Sequence, residues 1–121
     1  MIRKYMVRTV QRGEIYYANL NPVIGSEEGG ERPVLILSNN LGNRYGTTVI
    51  VAPITSRKRR KQYPTHLKIE AFAGLKKDST ILFEQIRVID KKRLLGYIGT
   101  LDRRFLLQAE RAIHISIDLR S

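Results

Sequence analysis

Apolar and polar positions change period once along the chain. Before residue 102 they alternate or form short apolar runs; after it they recur at helical spacing. EIYYANL (14–20) alternates and carries two tyrosines, which predicts a strand. PVLILSN (33–39) is continuously apolar, bounded by Pro33 and Asn39, and suits a short strand buried on both faces. VIVAPIT (49–55) is a second such run, rich in β-branched residues. THLKIEA (65–71) alternates, with Leu67 and Ile69 on one side and His66, Lys68 and Glu70 on the other. STILFEQIRVID (79–90) predicts one long strand, preceded by the turn-like KKDS, and GYIGTL (96–101) a short last one. NPVIGSEEGGE (21–31) is a loop by its Pro and Gly content, and NLGNRYGTT (40–48) has turn chemistry. Asp102 is placed to cap a helix over RRFLLQAERAIHISIDL. Phe105, Ala109, Ala112 and Ser116, with Leu106 and Ile113 beside them, form its buried stripe. Five or six short strands followed by one helix predict an α+β fold, a small SH3-like antiparallel β-barrel with a C-terminal helix packed on it. Residues 1–11 read as a basic N-terminal extension and 12–121 as a single domain.

Charge narrows the partners. Lys and Arg number 22 against 11 Asp and Glu, a formal net charge of +11, which calls for a polyanion: nucleic acid or an anionic membrane surface. The membrane is the weaker choice, because no apolar run approaches the ~20 residues of a spanning helix. The first residues, MIRKYMVRTVQRGE, contain no continuous apolar leader segment, and there is no cysteine. The expectation is therefore a protein of a reducing compartment, the cytoplasm. Without cysteine, and with only His66 and His114 in no ligand-like spacing, no metal site or cofactor is expected.

The segment GSEEGGERPVLILSNN (25–40) sets three glutamates and three glycines ahead of Arg32, Pro33 and an apolar strand. If 33–39 and 48–54 form a hairpin with Asn39 opposite Thr48, Arg32 falls opposite Thr55. A guanidinium beside a hydroxyl suits phosphate, although the same residues also serve as a surface cation and a strand end. SRKRRKQ (56–62) concentrates Arg57, Lys58, Arg59, Arg60 and Lys61 in a loop, a phosphate-binding feature or a solvated charge run. Alternation in 79–89 places Phe83, Gln85 and Arg87 on one face, where they would stack a base, read its edge and hold its phosphate; cross-strand packing of Phe83 and surface display of Gln85 and Arg87 explain the same pattern and are the reading the residues alone favour. His66 is a candidate general base but more often such a histidine is structural, and His114 is read as structural. Tyr16, Tyr17 and Tyr45 are candidates for base stacking or ordinary half-buried strand residues.

RGEIYYANLNPVIGSEEGGERPVLILSNNLGNRYGTTVIVAPIT, then PTHLKI, then DSTILFEQIRVIDKKRL resembles a MazF/PemK-type toxin endoribonuclease of a bacterial toxin–antitoxin pair, from about residue 12 to 118. The resemblance implies an SH3-like homodimer that cleaves single-stranded RNA at short sequences without metal, and a co-expressed antitoxin. It places the catalytic roles on Arg32 and Thr55. It places RNA contacts around Ile24, Ser26 and Glu27 in the first loop, and at Gln85 and Arg87. The chain departs from the pattern in its N-terminal extension and in the basic loop after Thr55.

On this reading the RNA's own 2′-hydroxyl attacks the adjacent phosphorus, leaving a 2′,3′-cyclic phosphate and a 5′-hydroxyl. Arg32 stabilises the transition-state charge and Thr55 positions the phosphate. The general base stays open between Arg32, a water and a loop carboxylate. Carboxylates of the loop would read base amino groups. The antitoxin is expected to be acidic, to match the charge of the groove. The alternatives are a non-catalytic nucleic-acid-binding barrel and a toxin of this fold acting on a protein such as a topoisomerase.

Overall fold

The computed structural model describes residues 9–57, 63–72 and 74–119. Seven antiparallel strands and a terminal helix follow in chain order: β1 (Glu14–Asn19), β2 (Glu31–Ile36), a short helix α1 (Asn40–Tyr45), β3 (Thr48–Thr55), β4 (His66–Ile69), β5 (Ser79–Leu82), β6 (Arg87–Asp90), β7 (Leu94–Thr100) and α2 (Arg103–Ser116). The strands run β4-β5-β3-β2-β1-β7 across the sheet, with β6 paired to β3. The fold is the expected α+β arrangement, but the sheet is curled rather than closed, because β4 and β7 stand at its two ends. The turn after β4 leans across this gap: Gly74 lies so close to the Ile98 carbonyl oxygen that a Cβ would collide with it.

Alternate residues of β2 explain its unbroken apolar run. Leu35 joins Ile15, Ala52, Ile54, Ile81 and Phe83 in a core covered by Ala109 and Ala112 of α2. Val34 and Ile36 point the other way, into a second cluster with Tyr16, Val49, Val51 and Ile89. A strand with a core on each face has no polar side to show.

Pairing of β2 with β3 follows the expected register: Val34 faces Pro53, Leu35 faces Ala52 and Ile36 faces Val51. Two expectations are corrected. The 40–47 connection is a helix and not a simple turn, because Asn39 caps it through a 2.7 Å bond from the Gly42 amide. Asn43 is buried and ties the helix to Ser38 by bonds to its hydroxyl and its carbonyl.

Residues 79–90 are not one strand. A 3-10 turn at Phe83–Gln85 separates β5 from β6. Ile54 pairs with Ile81 and Val51 with Arg87, so three steps along β3 face six along the other chain. The surplus of three residues is the turn. It sends Phe83 wholly into the core under α2 and brings Gln85 to the 21–30 loop, so the shared face expected for Phe83, Gln85 and Arg87 does not exist. The helix α2 matches its expected stripe, and Asp102 caps it by accepting from the Arg104 amide at 2.9 Å.

Candidate active site

The 21–30 loop is shaped by its own polar groups. The Leu20 amide donates to the Gly30 carbonyl at 3.0 Å, closing the neck, and the Gly30 amide donates to Asn21 Oδ1 at 3.0 Å. Gly25 and Gly30 have φ of 56° and 81°, a left-handed backbone that other residues rarely adopt. At the tip, Glu27 accepts from the Ile24 amide at 2.9 Å and leaves Ile24 81% exposed. Three side chains from the later sheet hold the loop from outside. Gln85 Oε1 accepts from the Glu28 amide at 2.7 Å while its Nε2 donates to the Ser26 carbonyl at 3.3 Å. Arg87 donates to the Leu20 carbonyl at 3.1 Å, and Arg93 donates to the carbonyls of Asn19 and Asn21.

Arg32 emerges from β2 beneath this loop. Its Nε donates to the Gly29 carbonyl at 2.7 Å and its Nη1 lies 2.9 Å from Glu28 Oε2. Continuing the β2–β3 register brings Arg32 level with Thr55. Thr55 is only 3% exposed, and its Oγ1 accepts from the Arg57 amide at 3.1 Å. Arg32 also lines a cleft of about 370 Å³, with Tyr17, Ser56, Lys76, Lys77 and Ser79 among others. Glu31 is part of its lining.

The structure thus gathers Ile24, Ser26, Glu27, Arg32, Thr55, Arg57, Gln85 and Arg87 into one region built on the loop and the β2 and β3 ends. Lys58, Arg59, Arg60 and Lys61 lie outside the described residues. Three details differ from the sequence picture. Gln85 and Arg87 hold the loop rather than facing open solvent. Of the three glutamates only Glu31 lines the cleft, since Glu27 bonds within the loop and Glu28 to Arg32. Thr55 is buried and does not line the cleft, whereas Ser56 beside it does, along with Tyr17 and Ser79. Lys76 and Lys77 went unrecognised as site residues: the KKDS stretch announced a turn and gave no hint of which strands the turn would stand beside.

The remaining candidates separate from the site. His66 is buried, bonded through Nε2 to Glu84 Oε2 at 2.9 Å and set edge-on to Tyr63, with ring centres 5.2 Å apart. It does not line the cleft, and its buried Nδ1 has no hydrogen-bond partner among the described residues. His114 is exposed on α2. Tyr16 is in the core, and Tyr45 lies beneath the Arg44 guanidinium at 5.5 Å beside a different cavity. Of the three tyrosines Tyr17 alone lines the cleft, 46% exposed. Among the described residues no three or more His, Asp or Glu side chains are grouped as a metal would require, and no helix is long and apolar enough to cross a membrane.

The molecule is thus a curled antiparallel sheet with a terminal helix, and Arg32, Lys76 and Lys77 line a cleft at one end of the β2–β3 hairpin. Residues 11–117 match the family described as PemK-like, MazF-like toxin of type II toxin–antitoxin system, and the chain belongs to that family. It is 48% identical over 111 residues to Endoribonuclease EndoA of Bacillus subtilis, covering 91% of this chain and 96% of that one. It is 46% identical over 113 residues to Endoribonuclease MazF of Staphylococcus epidermidis, covering 93% and 94%. The Mycobacterium tuberculosis toxin MazF-mt6 superposes with a TM-score of 0.76 at 29% identity, covering 89% of this chain and 99% of that structure.

Proposed function

We propose that the protein is a sequence-specific endoribonuclease, the toxin of a toxin–antitoxin pair, which cuts single-stranded RNA without a metal. The observation that carries this is Arg32, held at the wall of a lysine-lined cleft and level with Thr55, in a chain nearly half identical to two endoribonucleases.

RNA enters with its backbone along the cations of the cleft and its bases toward the 21–30 loop. The 2′-hydroxyl oxygen attacks the adjacent phosphorus and loses its proton; the bond to the 5′-oxygen breaks, and that oxygen takes up a proton. The products carry a 2′,3′-cyclic phosphate and a 5′-hydroxyl. Charge builds on the non-bridging oxygens during attack, and a guanidinium already placed there stabilises it with little reorganisation. This fixed cation supplies the electrostatic role that a metal would otherwise fill. Thr55 Oγ1 accepts from the Arg57 amide, so this buried hydroxyl positions the phosphate by fixing the 55–57 corner, from which Ser56 lines the cleft. Arg57 through Arg60, with Lys76 and Lys77, supply affinity that carries no sequence information.

Two copies are expected to assemble. Ile50 and Val88 face each other across β3 and β6 on the outer side of the sheet, both exposed, and Leu107 and Ile115 add apolar surface on α2. The antitoxin partner is expected to be an acidic segment that competes with RNA for the cleft, and the working compartment the cytoplasm.

Incubating the protein with a mixed single-stranded RNA pool and sequencing the new ends tests the reading. Discrete cuts at a recurring short motif are expected. RNA bound but uncut would favour a non-catalytic binding module instead.

A further inference from the structure

Arg32 does not face its cleft unoccupied. A bidentate grip on phosphate uses two neighbouring N–H groups of the planar guanidinium, drawn either from Nε and Nη2 or from Nη1 and Nη2. In this structure one nitrogen of each pair is engaged: Nε by the Gly29 carbonyl and Nη1 by the Glu28 carboxylate. The carboxylate is well sheltered, its side chain 9% exposed against 23% for that of Arg32. Gln85 fixes the backbone from which it projects, by accepting from the Glu28 amide at 2.7 Å. One carboxylate oxygen, Glu28 Oε2, lies 2.9 Å from Nη1, the kind of position that a phosphodiester oxygen would take.

We infer that Glu28 is a stand-in for the substrate phosphate, closing Arg32 in the free protein, and that RNA gains Arg32 only by displacing it. The inference rests on the proposed RNA-cleaving role of this site. Glu28 is then a positioning and selectivity residue. In the free state it holds the guanidinium in one place, against the loop. It also sets a threshold that a lone phosphate contact does not cross. An RNA whose bases fit the loop can shift the 26–29 segment, release the carboxylate from Arg32 and take its place. A poorly fitting strand leaves the loop, and the cap, where they are. A neighbouring carboxylate on an exposed guanidinium would be screened and weak. This one is sheltered and its backbone is pinned, so the competition is expected to be felt in binding.

The test uses the full-length protein, an RNA that it cleaves, and an analogue carrying a single 2′-deoxy sugar at the cut. Glu28→Gln keeps the shape and removes the charge, and Glu28→Ala removes both. If the closed form outnumbers the open one by about ten to one, KM and the Kd for the analogue each fall about tenfold in both variants. The rate constant kcat is not lowered, and discrimination against RNA lacking the cut motif decreases. Unchanged affinity in both variants overturns the inference. So does a fall in kcat with loss of the acidic limb of the pH–rate profile, which would make Glu28 the base that takes the 2′-hydroxyl proton. A measurement on the unmodified protein needs no variant to fold: the Arg32 Nε–H resonance is expected to shift on binding the analogue, and a resonance that stays in place contradicts displacement. A wild type that neither cuts nor binds RNA would instead remove the reading of the site, and this inference with it.

Discussion

At the scale of single residues, the proposed chemistry rests on Arg32 and its neighbours. Arg32→Ala is expected to lower kcat by roughly 10²–10³, about 3–4 kcal/mol of transition-state stabilisation, with the melting temperature little changed because the side chain is outside both cores. Single-turnover cleavage together with a thermal melt checks both halves. Lys76→Ala with Lys77→Ala is expected to weaken RNA binding across all sequences. Each lost phosphate contact should reduce the slope of log K against log salt by about 0.7, so a slope unchanged by the double substitution would remove the lysines from the interface. The placement of Arg32 at the start of β2 was legible in the sequence, because Pro33 and a two-sided apolar strand mark it. The symmetric hairpin then set Thr55 opposite it. The cap from Glu28 was not legible. Any of the three glutamates could reach Arg32 on paper, and the choice depends on hydrogen bonds from Gln85, 57 residues away in sequence.

At the scale of elements, the 3-10 turn at Phe83–Gln85 joins the core to the loop. Phe83 goes under α2 and Gln85 goes to the loop, so one short segment couples stability to site geometry. Phe83→Ala is expected to cost about 3–5 kcal/mol of stability, read from denaturant unfolding. Gln85→Leu removes both bonds to the loop at nearly constant volume. Hydrogen exchange at the Glu28 amide should rise by at least an order of magnitude while amides of β3 keep their protection, since loops open locally without global unfolding. Equal protection in the variant would mean that the loop is held by something other than Gln85. Most strands and the helix were readable from period alone. The break in 79–90 was not, because alternation continues plausibly through Phe83 and Gln85. Only the unequal lengths of chain facing β3 reveal the three extra residues. The capped helix at 40–45 was hidden for a related reason: Gly42, Asn43 and Gly46 are turn residues by composition, and the deciding contact is the side chain of Asn39.

For the whole molecule, an excess of 11 positive charges on 121 residues makes association with any polyanion fast and salt-sensitive. RNA and an acidic antitoxin segment are expected to compete for one cleft, and fluorescence anisotropy of labelled RNA during antitoxin titration would show it. Simultaneous binding at undiminished affinity would place control elsewhere. The outer face of β3 and β6 is expected to be covered by a second copy, so sedimentation at micromolar concentration should give a dimer mass. These expectations all depend on one central claim, that the Arg32 site cleaves RNA by attack of the RNA's own 2′-hydroxyl. The most direct measurement is mass spectrometry of the products from one single-stranded oligoribonucleotide and its twin bearing a single 2′-deoxy sugar at the cut, both in excess EDTA. The account predicts a 2′,3′-cyclic phosphate and a 5′-hydroxyl from the first and no cut in the second, with cleavage of the first slowed by roughly 10²–10³ in Arg32→Ala. Cleavage of the deoxy twin, or products ending in a 5′-phosphate, would contradict it.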